Sequence, residues 1–326
     1  MSKKRMRQHY GKIKLFLGSA SPDLSNKIAE HLELELEGHE LIQFPNENLF
    51  VKLDKSVRGQ DCYVIQTTSS PVHDNLMELL ITLQTLRLDS AARVTAVVPY
   101  LCYARSDKKD QPRVPITARL VADMISAEAD RYMTFDLHAG QIQGFFSIPG
   151  DVLSTFSILI DHLRPMLPDM HDPVVVTADL GFAKKARNFA EKLETPLALI
   201  EKRRTGNDAT AIAMGLIGDI DGHDVILVDD EIDTGGSIEE AVQLGMQFGA
   251  RDIYVIFVHA VLSGDAAKRL AALPVKKFIC TDTIPMSEED QAVFGDRLTI
   301  LTIADLLAEV ILRANEGRSV GALFDE

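Results

Sequence analysis

The chain has no tryptophan and only three cysteines. Cys62, Cys102 and Cys280 are scattered, with no C-x-x-C pair. That spacing argues against a disulfide framework and against a cysteine-built metal site, and leads us to expect core thiols in a reducing compartment. No apolar run reaches the roughly 18 residues that a membrane-spanning helix needs. The basic start, MSKKRMRQHYGK, lacks the apolar segment of a secretory signal and reads as a frayed tail. The expectation is a cytoplasmic protein with no membrane partner. Positive charge is also in short supply: 34 Lys and Arg face 48 Asp and Glu, a formal net charge of −14. That balance argues against nucleic acid as a partner. The sequence contains neither G-x-x-x-x-G-K-[ST] nor G-x-G-x-x-G, so a nucleotide, if bound, is held another way.

The 326 residues are 46% hydrophobic and 25% charged, an ordinary globular composition with room for two cores. Strand-like and helix-like segments alternate. Ile13–Leu17, Asp61–Thr68, Val94–Pro99 and Tyr132–Phe135 read as strands in the first half. Val174–Thr177, Leu197–Ile200, Val225–Val228, Tyr254–Val258, Lys277–Cys280 and Leu298–Ile303 do so in the second. Between them lie amphipathic stretches such as Asn75–Leu88, Ile116–Ala127 and Phe182–Leu193, and Ser21-Pro22 opens another with proline at its first helical position. Repeated βα units predict an α/β fold with mainly parallel sheets flanked by helices. A proline-bearing crossing at Ser154–Pro173 divides the halves. The predicted domains are 12–155 and 156–310, with 311–326 able to pack back on the first.

Basic residues bunch at Arg105–Arg113, Lys184–Arg187 and Lys202–Arg204, each near a predicted strand end. Three short basic clusters in an acidic chain point to small anions. The most informative segment is Asp224–Ser237, DVILVDDEIDTGGS. An apolar strand ends in Asp229 and Asp230; then comes Asp233-Thr234-Gly235-Gly236-Ser237, and a helical pattern opens at Ile238. Glycines at a strand-to-helix turn let backbone N–H groups face an anion, and the helix dipole favours negative charge there. Ionised carboxylates only accept hydrogen bonds, which suits the hydroxyls of a diol. Phosphate and diol together spell a ribose 5-phosphate moiety. The segment resembles the phosphoribosyl-diphosphate motif of the type I phosphoribosyltransferase fold.

Three further segments extend the resemblance: VPYLCYARSDKKDQPRVPITARLVADMI, FDLHAGQIQGFF and LIEKRR. With them the chain is similar to the ribose-phosphate diphosphokinases from about Ile13 to Phe324. The resemblance implies two type I phosphoribosyltransferase-like domains and transfer of the diphosphoryl group of ATP to O1 of ribose 5-phosphate. It implies ATP contacts from Phe44, Asn46, Asn48, Arg105, Ser106, Asp107 and Lys108. Ribose 5-phosphate contacts fall on Asp229, Asp230, Asp233, Thr234, Gly235, Gly236 and Ser237. Mg2+ is implied as cofactor, linked to His138 and Asp179. Lys202 and Arg204 take the catalytic positions, on a mobile loop that closes over the transferring phosphates. A homo-oligomer, a hexamer built from dimers, is implied as well.

The chain departs from the family pattern in places. Ser106 stands where glutamine is usual, and Asn48 where glutamate is usual. Phe182 replaces the second glycine of P-D-x-G-G, where a bulky side chain would obstruct phosphate or metal. Ser319-Val320-Gly321-Ala322-Leu323-Phe324 stands for S-V-S-x-L-F. The first two changes predict weaker ATP binding or relaxed nucleotide choice. All three site changes keep open a non-catalytic paralogue that assembles with an active synthetase. A phosphoribosyltransferase finds support only in the Asp229–Ser237 segment.

Overall fold

The computed structural model describes residues 10–179, 181–204 and 212–323, with the main chain alone at 201–204 and 212–214. The chain forms two compact units, one of Met1–Ser154 with Thr302–Glu326 and one of Thr155–Leu301.

In the first unit the order is β1 (Ile13–Leu17), α1 (Pro22–His31), β2 (His39–Gln43), β3 (Leu49–Leu53), β4 (Asp61–Ile65), α2 (Val72–Leu88), β5 (Arg93–Val98), α3 (Thr117–Glu128), β6 (Arg131–Phe135) and β7 (Gly150–Leu153). The main sheet runs β1-β4-β5-β6-β7, parallel throughout. β4 and β5 are buried along their whole length, which is why they read as continuous runs instead of alternating ones. Helix α2 buries Leu76, Leu79, Leu83 and Leu86, a 3–4 spacing that lays one stripe on the sheet. Strands β2 and β3 form a separate antiparallel hairpin. It was not legible in the sequence, because it buries only Val51 and leaves Leu41, Ile42 and Phe50 exposed.

The second unit contains α4 (Phe156–Leu163), β8 (Val174–Thr177), α5 (Ala183–Leu193), β9 (Leu197–Arg204), β10 (Ile212–Ile217), β11 (Val225–Ile232), α6 (Gly236–Gln247), β12 (Ile253–Ala260), α7 (Ala266–Ala271), β13 (Lys277–Thr281), α8 (Glu288–Phe294) and β14 (Leu298–Leu301). Its sheet runs β10-β9-β8-β11-β12-β13-β14, parallel except for β10 against β9. Two strands outrun their apolar cores. β9 continues through Lys202–Arg204 because β10 pairs with it, Met214 opposite Lys202 and Ile212 opposite Arg204. β11 continues past Asp229 and Asp230, with Glu231 opposite His259 and Ile232 opposite Ala260. Lys184–Arg187 lies inside α5, not at a strand end.

Helix α9 (Ala304–Glu316) belongs to the first unit, so the return begins at Thr302 and not at residue 311. A buried polar network explains the anchorage. Arg93 donates to both oxygens of Asp61 at 2.7 and 2.6 Å, Asn315 donates to the same carboxylate at 2.7 Å, and Arg93 reaches the Ala314 carbonyl at 3.1 Å. Arg93 and Asp61 are nearly inaccessible, and at that depth only a fully partnered pair is tolerated. The three thiols are buried and unpaired, and burial pushes those of Cys62 and Cys280 up to about 12. No helix among the described residues is long and apolar enough to cross a membrane.

Candidate active site

In the second unit, β11 carries Asp229 and Asp230 toward its end and releases the chain into the loop that starts α6. Asp230 is buried, while Asp229 stays partly open. The Asp230 N–H donates to Asp229 Oδ1 at 2.8 Å. Burial first, then the neighbouring Asp230 carboxylate and, more weakly, Asp179 hold the Asp229 carboxyl well above the usual carboxylate range. Ionising Asp229 in this setting is therefore unfavourable in the folded chain. Asp229→Asn should raise the melting temperature of the metal-free chain at neutral pH. A carboxyl whose folded pKa is raised loses stability as pH rises through that value and loses none below its unfolded value. The gain from asparagine should therefore shrink as pH falls into the ordinary carboxylate range, and thermal melts of both proteins across pH check this. An unchanged or lowered melting temperature at neutral pH would contradict it.

The loop itself brings backbone N–H groups to a helix start. Gly235 caps α6 in the left-handed region, φ +78°, and its carbonyl accepts the Glu239 N–H at 2.9 Å. The N–H groups of Gly236, Ser237 and Ile238 open the helix and have no intrahelical acceptor. Thr234 and Ser237 are exposed. The loop is pinned from behind: the Leu262 and Ser263 N–H groups donate to the carbonyls of Ile232 and Asp233, both at 3.0 Å. A Cβ at Gly235 would sit 3.3 Å from the side chain of Leu270 on α7.

Asp179 follows β8 and is exposed. Its Oδ1 accepts the Gly181 N–H at 2.8 Å, and its Oδ2 has no hydrogen bond among the described residues. Phe182 does not obstruct this turn. Its backbone has φ −88°, so no glycine is required, and its ring is buried against Phe156 with centroids 6.1 Å apart. The side chains of Lys202 and Arg204 lie outside the described residues. Their main chain is strand, so the loop expected at these positions begins no earlier than Thr205, and 205–211 also lies outside.

In the first unit, Phe44, Asn46 and Asn48 form the tip of the β2–β3 hairpin, all exposed. The Phe44 N–H donates to the Asn48 carbonyl and the Glu47 N–H to the Phe44 carbonyl, each at 2.8 Å. Asn46 Oδ1 accepts the Asn48 N–H at 3.3 Å, and the Phe44 ring lies 6.1 Å from that of Phe50. Between β5 and α3 runs the basic loop. Arg105, Ser106, Lys108, Asp110, Val114 and Pro115 line a cavity of about 350 Å³. Asp107 is buried, and its Oδ2 accepts from Gln141 Nε2 at 2.5 Å. Gln141 was not singled out in the sequence, since nothing local marks a residue whose partner is 34 positions away. His138 is half-buried after β6, beyond Asp136, whose φ is +37°.

Residues 13–128 match the model of the N-terminal domain of ribose phosphate pyrophosphokinase, and 207–325 match the phosphoribosyl synthetase-associated domain. The chain is 46% identical over 321 residues to a ribose-phosphate pyrophosphokinase of Caldanaerobacter subterraneus, covering 98% of this chain and 100% of the relative. It is 41% identical to that of Deinococcus radiodurans over 95% of this chain and 97% of the relative. The crystal structure of phosphoribosylpyrophosphate synthetase from Mycobacterium smegmatis superposes with a TM-score of 0.88 at 39% identity, over 94% of this chain and 99% of that one.

Proposed function

The chain belongs to the ribose-phosphate pyrophosphokinase family, and from that premise we infer how its two units share the work of a ribose-phosphate diphosphokinase. The O1 hydroxyl of ribose 5-phosphate attacks the β-phosphorus of ATP. The O1–Pβ bond forms, the bond from Pβ to the α,β-bridging oxygen breaks, the O1 proton passes to solvent, AMP leaves, and phosphoribosyl diphosphate carries the β- and γ-phosphoryl groups. Such a transfer asks a protein mainly for positioning and for neutralised charge.

The second unit takes ribose 5-phosphate. The single observation that carries this is the loop Asp233–Ser237, with a left-handed Gly235 as its cap and the first-turn N–H groups of α6 behind it. Those groups hold the 5-phosphate, and Asp229 and Asp230 accept from the ribose hydroxyls. The first unit takes ATP. Phe44 at the hairpin tip offers a ring to the base, Asn46 and Asn48 offer amides beside it, and Arg105, Ser106, Asp107 and Lys108 form the loop that receives the phosphates. Lys202 and Arg204 stabilise charge that develops on the transferring group.

The donors fit Mg2+ unequally. The Asp179 carboxylate, whose Oδ2 has no hydrogen bond among the described residues, suits a hard cation. The His138 imidazole is a poorer donor and contributes as a neighbour more than as a main ligand. When bound, the ion offsets phosphate charge.

The chain works in the cytoplasm as a homo-oligomer, a hexamer built from dimers. The family resemblance and the exposed Leu41, Ile42, Phe44 and Phe50 on one hairpin support that reading. The test is purified chain with ATP, Mg2+ and ribose 5-phosphate. AMP should form only when ribose 5-phosphate is present, stop on chelation with EDTA, and resume when Mg2+ is returned. No AMP under complete conditions, or AMP formation indifferent to chelation, would overturn the reading.

A further inference from the structure

Helix α3 opens on Ile116, which has no side chain able to accept a hydrogen bond, so its first N–H groups need acceptors from elsewhere. Both come from one residue eleven positions back. The Thr117 N–H donates to Ser106 Oγ at 3.2 Å, and the Ala118 N–H donates to the Ser106 carbonyl at 3.1 Å. Ser106 is itself held, its N–H donating to the Tyr103 carbonyl at 2.9 Å. The chain between Ser106 and Thr117 is thereby closed into a ring. That ring carries Lys108, Lys109 and Arg113, begins beside Arg105, and lines the cavity of about 350 Å³.

We propose that Ser106 is a positioning residue for the nucleotide, fastening the basic loop to the first turn of α3 so that Arg105 and Lys108 are held ready for the phosphates of ATP. The assignment of ATP to this loop rests on the functional reading above. The role differs from base reading. The hydroxyl oxygen, one bond out from Cβ, already accepts from Thr117. Glutamine places its amide two bonds further out and cannot put an oxygen at the same point, while threonine can. An unfastened loop must be ordered at the moment of binding, which weakens affinity.

The two roles predict opposite signs for one substitution. A base-reading position gains from Ser106→Gln; a fastener loses. Calorimetric titration of α,β-methylene ATP and, separately, of ribose 5-phosphate into wild type, Ser106→Ala, Ser106→Gln and Ser106→Thr decides between them. Both Ser106→Ala and Ser106→Gln should weaken nucleotide binding about fivefold, with ribose 5-phosphate affinity unchanged, and Ser106→Thr should recover most of the loss. Amide hydrogen exchange at Thr117 and Ala118 should quicken in the alanine variant and not in the threonine variant. Unchanged nucleotide affinity in Ser106→Ala, tighter binding in Ser106→Gln, or equal weakening of both ligands would overturn the proposal. Because binding is measured without turnover, a wild type that binds the nucleotide yet makes no AMP sinks the functional reading and leaves this inference standing.

Discussion

Lys202→Ala should lower kcat by about 100-fold or more, ~2.7 kcal/mol in the barrier, with ribose 5-phosphate affinity nearly unchanged. The split follows from where the charge is needed. ATP already carries its negative charge before reaction, and the transition state redistributes it over the transferring group. A cation aimed at that group stabilises the transition state more than the bound substrate, so its loss appears in kcat and not in binding. Lys202 sits near the end of β9, before 205–211, with Met214 of β10 opposite it in register. Its main chain is thus fixed by the antiparallel pair, and a truncation to alanine keeps that pairing. Steady-state kinetics at saturating ribose 5-phosphate, with ligand binding measured on the same preparation, check the prediction. Near-normal turnover would remove Lys202 from the chemistry and leave the K-R-R segment as a solvated strand end.

Gly235→Val should weaken ribose 5-phosphate binding more than about tenfold, or ~1.4 kcal/mol, while nucleotide binding holds. The reason differs from simple obstruction of the ligand. At φ +78° a β-branched residue is strained by about 1–3 kcal/mol. Its Cβ would also meet Leu270 at 3.3 Å, on the side of α7 and not of the ligand. The loop must shift to relieve both, and the first-turn N–H groups of α6 shift with it. The residues assigned to ATP belong to the other unit, so nucleotide affinity serves as the internal control for folding. Calorimetric titration of both ligands reads the result. Undiminished ribose 5-phosphate affinity would take the loop out of the site.

Much of this was legible in the sequence because parallel strands buried on both faces print themselves as unbroken apolar runs. Val225–Val228 followed by an acid pair and T-G-G-S announced a strand and the helix that follows it. The extent of that strand was not legible: Asp229 and Asp230 look like a stop signal, yet pairing with β12 carries β11 on to Ile232. The same holds for β9, whose continuation depends on a partner strand and not on its own composition. The β2–β3 hairpin left no signal because it has almost no buried face. Phe182 was misread from the sequence. A glycine position in a family pattern suggested that a bulky side chain would obstruct phosphate or metal, but the ring is buried in the core beside Phe156, and φ −88° suits any residue. One of the three reasons to think of a non-catalytic paralogue thereby disappears. Ser106 looked like a lost base contact because a sequence shows only that a side chain is shorter. What the shorter side chain gains, the N–H of Thr117, exists only once the loop has folded back on α3.

The central claim is that a diphosphoryl group moves in one step from ATP to O1 of ribose 5-phosphate. Phosphorus-31 NMR of the complete reaction tests it most directly, because attack at the β-phosphorus and attack at the γ-phosphorus leave different products. AMP and phosphoribosyl diphosphate should appear in equal amounts, with the diphosphate bonded at the anomeric carbon and no ADP along the way. ADP with a ribose bisphosphate, or no phosphorus transfer at all under complete conditions, would contradict it.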